Sequence, residues 1–320
     1  MNSSTSEDIE RLEKIREIDR RIEELLSHRG EVLAGLRGDP KEIFALGLPS
    51  HPIGVAYLGP QHSYSYAAAS KYFGVCEFLH PVSSISAVFE EVQRGQSRYG
   101  VVPIENSTDG RIVDTMSNFI RSPIQICGEV LLPIHHNLLS NCQRSEIRKV
   151  YSKPQAISQC RRWLSEHLPD AQRVEVASTT EAAKIAREQP GSAAIASVQA
   201  AQEYSLVIVC KSIEDDPNNA TRFAIIGKDY PRPSGNDKTS LLFQVPHQPG
   251  ALADAMLLFR DNQINLTWIE SLPVPGAPNE YFFFVELDGH IEQRSLNHAI
   301  ESLKLRALRL DILGSYARGS

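Results

Sequence analysis

From residue 53 onward, short apolar runs alternate with polar turns and helix-like stretches, and this order is typical of an α/β fold. The apolar run Gly54–Leu58 has the length of a buried strand, and Gly59-Pro60 marks a sharp turn behind it. Ser63-Tyr64-Ser65 then leads into an alanine-rich helix predicted over Tyr66–Phe73. Hydroxyls at such a turn suit an anion, because the first N–H groups of a helix have no partner within it. A simple N-cap is an equally good interpretation of Ser63.

A second strand-turn unit follows in the same half of the chain. The apolar strand predicted over Tyr99–Ile104 ends in the polar stretch Glu105-Asn106-Ser107-Thr108-Asp109, which is followed by Gly110. A helix is predicted behind it, over Ile112–Ile120. Consecutive polar residues at the end of an apolar strand are typical of a loop that contributes to a functional site.

The stretch Asn219-Ala220-Thr221-Arg222-Phe223 lies between two apolar runs, directly behind the acidic run Glu214-Asp215-Asp216. We expect a strand to begin at Phe223, which places Thr221 and Arg222 at its entrance. An arginine binds a carboxylate through two parallel hydrogen bonds, and a threonine hydroxyl can bond to a departing oxygen. The pair therefore suits an anionic small molecule with a leaving group, although an isolated Thr-Arg pair is more often solvated surface.

The chain of 320 residues is long enough for two or three globular domains, with 42% hydrophobic and 22% charged residues. Its net charge is −6 and it has no long basic run, which argues against nucleic acid as a partner. No apolar run approaches the roughly 18–20 residues of a membrane span, and the polar start differs from a signal peptide. The five scattered cysteines have no metal-ligand spacing, so we expect reduced thiols in the cytoplasm and no glycosylation at Asn219.

An amphipathic helix is predicted over residues 7–34, because apolar residues recur there at spacings of three and four. A lone helix of this kind must pack on the body of the protein or on a second copy. Its stretch Ile18–Arg29 resembles the first helix of the AroQ-type chorismate mutases, but Leu12 stands where that family has its first active-site arginine. Only Leu36–His51 separates the helix from the next domain, which is too short for the other mutase helices. We therefore expect no mutase activity and favour a plain dimerisation helix.

A polar linker punctuated by proline and glycine occupies residues 228–238. The predicted order behind it is strand, helix, strand, strand, helix, strand, which is the ferredoxin-like arrangement. These elements are Ser240–Val245, Ala251–Asn262, Ile264–Leu272, Tyr281–Leu287, Gln293–Leu303 and Leu308–Leu313.

Two short stretches in this C-terminal region resemble the ligand motifs of ACT domains. They are Gly250-Ala251-Leu252 at the start of the first helix and Glu270-Ser271 at the end of the second strand. ACT domains of this kind pair across an interface and bind amino acids there. The resemblance implies that the helix start faces the ligand carboxylate and that Asn265 and Glu270 face its ammonium group. Leu272 stands where the ACT motif usually has an arginine.

Three stretches together resemble the signature motifs of the prephenate dehydratases: Gly59-Pro60-x-x-Ser63-Tyr64-Ser65, Val102-Pro103-Ile104-Glu105-Asn106-Ser107 with Gly110, and Asn219-x-Thr221-Arg222-Phe223. The supporting stretch Tyr151-Ser152-x-Pro154-Gln155 agrees, and the match runs from about residue 53 to 230 in the family's order. Two departures concern substrate preference. His62 replaces a glycine, and Lys153 stands where the family usually has histidine.

The resemblance implies an α/β catalytic region over residues 52–230 with two lobes like those of periplasmic binding proteins. A C-terminal α+β ferredoxin-like ACT domain over residues 238–318 and an N-terminal helix within residues 1–48 complete the expected fold. The implied function is that of a cytoplasmic prephenate dehydratase of phenylalanine biosynthesis, which forms phenylpyruvate without metal or organic cofactor and is feedback-regulated by phenylalanine. We expect a homodimer or homotetramer with no nucleic-acid or membrane partner.

Three other functions remain as alternatives on the same scaffold. An arogenate dehydratase would carry out the same chemistry on the transaminated substrate. A prephenate decarboxylase that does not aromatise the ring, or a catalytically inactive amino-acid sensor, is disfavoured because the Thr221-Arg222-Phe223 motif is intact.

The resemblance also implies roles for single side chains. Thr221, Arg222 and Phe223 are assigned to catalysis, with Thr221 donating a hydrogen bond to the departing hydroxyl. Arg222 either clamps a carboxylate or holds its loop against Glu105 or an aspartate, and Glu105 either touches substrate or orients its neighbours. Substrate binding is assigned to Ser63, Ser65, Glu105, Asn106, Ser107 and Asn219, and allosteric ligand binding to Gly250, Ala251, Leu252, Asn265, Glu270 and Ser271.

Overall fold

The computed structural model describes residues 54–74 and 78–319, together with eight helical positions between residues 14 and 28. The helix predicted over residues 7–34, with its mutase-like stretch, lies largely outside these described residues. Within the described part, every helix is too short or too polar to cross a bilayer.

The described strands and helices build three sheets with helices packed against them. The strands are β1 (Val55–Leu58), β2 (Leu79–Val82), β3 (Tyr99–Asn106), β4 (Gly110–Arg111), β5 (Gln125–Pro133), β6 (Asn137–Ser140), β7 (Lys149–Ser152), β8 (Gln172–Glu175), β9 (Ser192–Ala196), β10 (Val207–Cys210), β11 (Ala220–Gly227), β12 (Asp237–Gln244), β13 (Leu266–Pro273), β14 (Tyr281–Asp288) and β15 (Arg309–Ala317). The helices are α1 (Tyr64–Phe73), α2 (Ile85–Arg94), α3 (Val113–Arg121), α4 (Pro154–Gln159), α5 (Arg161–His167), α6 (Thr179–Glu188), α7 (Val198–Glu203), α8 (Ala251–Asp261) and α9 (Arg294–Lys304).

The first sheet belongs to lobe 1, which we define as residues 54–133 and 220–227. Its strand order is β2-β1-β3-β11-β5, with β4 paired to β3. Strand β1 is parallel to β2 and β3, whereas β11 is antiparallel to β3 and β5. Tyr57 and Phe223 pack on the face that α1 covers, and Ala224 packs on the opposite face with α2 and α3. Since β1 and β3 end where β11 begins, the polar residues of all three motifs meet at one edge of the sheet.

The second sheet belongs to lobe 2, which we define as residues 137–213. Its strand order is β10-β6-β9-β7-β8, with β7 parallel to β8 and β9 and with β6 antiparallel to β9 and β10. Helices α4 and α5 cover the face that carries Ile195, and α6 and α7 cover the face that carries Ala194. The free cysteine Cys160 fills the first of these cores, as expected for a buried thiol.

The chain crosses between the lobes twice, at residues 134–136 and 211–219. The Glu214 carboxylate holds the two crossings together, because it accepts a hydrogen bond of 2.8 Å from the backbone amide of His136. Asp215 accepts hydrogen bonds of 2.9 and 3.1 Å from two amides in the first turn of α5. Two members of the acidic run before Thr221 are therefore engaged in bonds that position the lobes and a helix.

The third sheet has the predicted strand-helix-strand-strand-helix-strand order over residues 237–317. Its strand order is β13-β14-β12-β15, all antiparallel, which is the ferredoxin-like arrangement. Helices α8 and α9 cover one face, while Leu242 and Phe284 on the other face join the core of lobe 1. At the junction, a Cβ on Gly314 would lie 2.0 Å from the carbonyl oxygen of Ile126, so only glycine permits this close approach.

The strand expected to begin at Phe223 begins earlier, at Ala220. Thr221 and Arg222 are therefore part of β11 and not of the loop before it. Thr221 pairs with Asn106 on β3 and with Leu132 on β5, so its backbone is engaged on both sides. The expectation was wrong because it followed the apolar run, whereas backbone pairing with two neighbours extends the strand through polar residues.

Candidate functional site

A cavity of about 550 Å³ lies between the two lobes. The turn after β1 and the start of α1 line it from lobe 1, and the starts of α4 and α6 line it from lobe 2. The lining residues are Leu58, Gly59, Pro60, Ser63, Tyr64, Ser65, Pro81, Val82, Ser83, Asn106, Ile134, His136, Lys153, Gln155, Ala156, Gln159, Ala177, Ser178, Thr179 and Thr221. The volume suits a small molecule that is held from both sides.

Thr221 lines this cavity, and its hydroxyl oxygen accepts a hydrogen bond from Asn106. The Asn106 side-chain oxygen accepts hydrogen bonds from the backbone amides of Thr108 and Asp109, at 3.0 and 3.1 Å. Its amide group must therefore donate, and it does so to Thr221 Oγ1 at 2.8 Å and to Asn219 Oδ1 at 2.9 Å. Because Thr221 Oγ1 accepts from Asn106, its own proton is available to a group in the cavity.

A chain of side-chain hydrogen bonds continues from Asn219 to the far side of the cavity. Gln159 Oε1 accepts from Asn219 Nδ2 at 3.0 Å and from His136 Nε2 at 2.8 Å, while Gln159 Nε2 donates to Asp109 Oδ2 at 2.7 Å. The proton of His136 is thereby assigned to Nε2, and Nδ1 lies 3.1 Å from the oxygen of the Tyr64 hydroxyl, which donates to the His135 carbonyl at 2.9 Å. Burial lowers the pKa of His136, so the ring in this chain is neutral.

Side chains of the two lobes also contact each other directly. Asp109 of lobe 1 accepts hydrogen bonds from Gln155 and Gln159 of lobe 2. His62 Nε2 of lobe 1 lies 3.2 Å from Glu203 Oε2 of lobe 2. His62 has a φ of 65°, so the turn keeps the left-handed backbone that favours glycine although a histidine stands there.

Ser63 has the predicted N-cap role, while its role as a substrate ligand stays a prediction. Its hydroxyl accepts a hydrogen bond of 3.3 Å from the Tyr66 amide and so caps α1, and the residue also lines the cavity. Ser178 caps α6 in the same way from lobe 2, with a hydrogen bond of 3.0 Å from the Glu181 amide. Two ten-residue helices, one from each lobe, therefore direct their N-termini at the cavity.

Arg222 projects away from the cavity toward the third sheet. There it belongs to a group that we name the junction cluster: Arg222, Lys238, Glu105, Glu129 and Glu286. The guanidinium group of Arg222 lies 2.6 Å from Glu286, 3.1 Å from Glu129 and 3.0 Å from Glu105. The ammonium group of Lys238 lies 3.0 Å from Glu129 and 3.3 Å from Glu286. Burial alone would lower the pKa of Arg222, but Glu286 and Glu129 outweigh it and the pKa is raised. Arg222 was predicted either to clamp a substrate carboxylate or to hold its loop against Glu105 or an aspartate, and this geometry supports the contact with Glu105.

The predicted catalytic and substrate-binding residues fall into three groups. Ser63, Ser65, Asn106 and Thr221 line the cavity, and Asn219 lies directly behind them, bonded to Asn106 and Gln159. The junction cluster contains Arg222 and Glu105, while Phe223 is 2% exposed in the core beneath α1 and Ser107 bonds to the Ala220 amide. As catalytic or substrate-binding residues, the members of all three groups stay predictions.

The cavity residues that were not predicted as site residues include Tyr64, His136, Lys153 and Gln159. Lys153 lies in the stretch from Tyr151 to Gln155 that resembles the family, and it was noted only as a departure from it. His136 had no local signal beyond its place after an apolar strand.

The residues predicted for the allosteric ligand are spread over the third sheet and its first helix. Gly250 caps α8 with a φ of 85°, and Asn265 donates to Asp288 at 3.0 Å. Glu270 forms a salt bridge with Arg111 on β4 of lobe 1. Leu272, which stands where the ACT motif usually has arginine, is 5% exposed in the core shared with lobe 1. A charge at that position would be buried at the junction.

The family model and the curated relatives agree on one family. The family model "Prephenate dehydratase" matches residues 55–231. The chain is 42% identical over 269 residues to the bifunctional chorismate mutase/prephenate dehydratase of Stutzerimonas stutzeri, covering 83% of this chain and 74% of that protein. It is 37% identical over 273 residues to the prephenate dehydratase of Lactococcus lactis subsp. lactis, covering 82% and 97%. The crystal structure of prephenate dehydratase in complex with L-Phe from Arthrobacter aurescens superposes with a TM-score of 0.77 at 30% identity, covering 83% and 90%.

Proposed function

Because this chain belongs to the prephenate dehydratase family, we propose that its reaction takes place in the cavity between the lobes, with Thr221 as the donor to the departing hydroxyl. The reaction is the decarboxylative dehydration of prephenate to phenylpyruvate in phenylalanine biosynthesis. Carbon dioxide and hydroxide leave together, and the ring becomes aromatic. Aromatisation drives the reaction, so the protein must chiefly hold a dianion in one pose and stabilise the oxygen that leaves.

The orientation of the Thr221 hydroxyl is the observation that carries this proposal. Asn106 donates to Thr221 Oγ1 at 2.8 Å, which leaves the threonine proton for the leaving oxygen. A threonine is a poor acid, so its contribution is a preorganised hydrogen bond that strengthens as negative charge develops on that oxygen. Asn106 is held from behind, because its amide nitrogen donates to Asn219 Oδ1 at 2.9 Å and Asn219 in turn donates to Gln159.

The two carboxylates of prephenate are assigned to the remainder of the cavity. Both are attached at the ring carbon opposite the hydroxyl, one of them through the short keto side chain. With the hydroxyl at Thr221, the free N–H groups at the starts of α1 and α6 and the hydroxyls of Ser65 and Thr179 are suitable carboxylate donors. These assignments include Ser65 as predicted from the sequence, whereas the hydroxyl of Ser63 donates to the Leu58 carbonyl at 3.2 Å.

The test is an incubation of the purified protein with prephenate and, separately, with arogenate. We expect phenylpyruvate from prephenate, identified by its mass and ultraviolet spectrum, with little phenylalanine from arogenate. Faster turnover of arogenate would assign the chain to the alternative substrate. Loss of carbon dioxide without an aromatic product would assign it to the decarboxylase alternative.

The third sheet with α8 and α9 is proposed as an ACT domain that binds phenylalanine and thereby regulates the dehydration of prephenate. Two observations support this: the ferredoxin-like strand order, and the L-Phe in the Arthrobacter relative. Sites of this kind form between paired domains, so the proposal includes a homodimer or homotetramer. A cytoplasmic location fits a biosynthetic enzyme with free cysteines.

A further inference from the structure

We propose that Lys153 is a substrate-binding residue that neutralises the carboxylates of the substrate and selects the dianionic keto acid over its amino-acid counterpart. The inference rests on the proposed function, because it concerns the same cavity. It adds a residue that departs from the family's usual histidine and that the signature motifs do not include.

The cavity wall offers one candidate for a positively charged side chain that meets the carboxylates of the substrate. Among the described residues that line the cavity, Lys153 is the only lysine or arginine. His136 does not substitute for it, because burial lowers the pKa of that histidine and Gln159 accepts its one ring proton. Arg222 does not either, since its guanidinium group is bonded to carboxylates of the junction cluster. A dianion in this cavity therefore meets one mobile cation.

The position of Lys153 fits the end of the substrate that carries the negative charge. Thr221 is 9% exposed and lies deep in the cavity, whereas Lys153 is exposed and lies at the rim. A substrate whose hydroxyl reaches Thr221 directs the opposite ring carbon, with both carboxylates, toward the rim. The flexible side chain of a lysine can then follow the carboxylates as a point charge.

The backbone of Lys153 is fixed by hydrogen bonds, while the residue is exposed. The residue follows β7, whose last residue, Ser152, is fully buried and donates to the Ile195 carbonyl at 2.7 Å. Its own carbonyl accepts from the Ile157 amide at 3.1 Å, and Pro154 starts α4 directly after it. Lobe 2 therefore presents the ammonium group to the cavity from a rigid base.

The selectivity follows from net charge. Prephenate carries two negative charges, while arogenate has the same two carboxylates and an ammonium group, so its net charge is smaller by one. A single cation at the rim stabilises bound prephenate more than bound arogenate, whichever carboxylate it contacts. A histidine at this place would be largely neutral at pH 7 and would discriminate less.

The experiment compares Lys153→Met with Lys153→Arg and with the matched control Lys184→Met. Lys184 is also exposed, on α6 of the same lobe, but it does not line the cavity. Loss of a charge-assisted hydrogen bond is expected to raise KM for prephenate about 10- to 100-fold in Lys153→Met, with kcat changed less than about threefold. The ratio of kcat/KM for prephenate to that for arogenate should fall at least about fivefold, and Lys153→Arg should restore most of both values.

Two outcomes separate this inference from the function on which it rests. Wild-type protein that leaves prephenate unconsumed contradicts the proposed function. Wild-type protein that is active, together with a Lys153→Met variant whose KM and substrate ratio match those of Lys184→Met, overturns the inference alone. Thermal unfolding of all three variants at the wild-type temperature shows that a change in KM reflects binding.

Discussion

Replacing Glu286 by glutamine removes one negative charge from the junction cluster and keeps the shape of the side chain. Glu286 is 1% exposed on β14, and its two oxygens face Arg222 at 2.6 Å and Lys238 at 3.3 Å. After the change, the two cations share Glu129 and the half-exposed Glu105, and Glu105 contacts only Arg222. Two buried cations then face one buried carboxylate.

The expected cost follows from this imbalance. At about 3 Å and an effective dielectric constant of about 20, each contact between unit charges is worth on the order of 5 kcal/mol before desolvation is subtracted. Breaking a buried ion pair by removing one partner typically costs about 3–5 kcal/mol, because the other charge stays buried. We expect a loss of this size in the free energy of unfolding for Glu286→Gln. Glu105→Gln should cost only about 0–1 kcal/mol, since that side chain is 36% exposed.

The assay is denaturant unfolding of the wild type, Glu286→Gln and the control Glu105→Gln, with Arg222→Met added for a double-mutant cycle. Arg222→Met should be less harmful in the Glu286→Gln background than alone, because the buried guanidinium group is then already short of a partner. Equal losses for the two glutamine variants, or a loss below about 1 kcal/mol for Glu286→Gln, would refute the view that this cluster stabilises the junction. Residual dehydratase activity before unfolding reports on whether lobe 1 stays folded.

The remaining predictions concern the cavity, the N-terminal region and the C-terminal unit. Thr221→Ala should lower kcat about 100-fold or more and change KM little in steady-state assays, because its bond matters most as the hydroxyl leaves. Burial lowers the pKa of His136 below its usual 6.5. The unfolding free energy should therefore be undiminished above pH 6.5 and should fall as the pH drops from 6.5 through the folded-state pKa. The fall should be smaller in His136→Gln. The intact protein should not convert chorismate to prephenate; consumption above the uncatalysed rate that disappears on deleting residues 1–48 would show the opposite. Phenylalanine should give heat in calorimetric titration, inhibit the reaction and change the affinity for substrate about 5- to 150-fold. Arg111→Met should reduce this coupling if the salt bridge with Glu270 carries it. No heat at millimolar phenylalanine would contradict binding.

The meeting of the three motifs could be predicted from the sequence because it depends on local order. Gly59-Pro60 follows a strand, Asn106 ends a strand, and Thr221 lies near the start of one. Two parallel strands that end at one edge and an antiparallel strand that begins there bring these residues together. The strand boundary at Ala220 was missed only because its residues are polar and paired.

The partners of single side chains could not be predicted, because they lie far apart in the chain. Arg222 bonds to Glu286, which is 64 positions away, and to Glu129, which is 93 positions away in the other direction. His136 of the first crossing and Gln159 of lobe 2 are 23 positions apart and are brought together only by the fold. Glu214 stands in the sequence only as part of an acidic run, whereas in the structure its carboxylate joins the two interlobe crossings. Composition and periodicity carry no signal for such pairings.

The alternation of side chains along β11 explains how one three-residue motif serves three parts of the molecule. Successive residues of a strand point to opposite faces of its sheet, so Thr221 and Phe223 share one face and Arg222 takes the other. Phe223 packs in the core beneath α1, and Thr221, two residues earlier on that face, reaches the cavity at the start of the same helix. Arg222 faces the third sheet, where its guanidinium group stacks 4.8 Å from the ring centre of Trp268 on β13. A movement of the third sheet against lobe 1 would therefore act on the residue next to the proposed hydroxyl donor, through one peptide unit of a strand bonded on both sides.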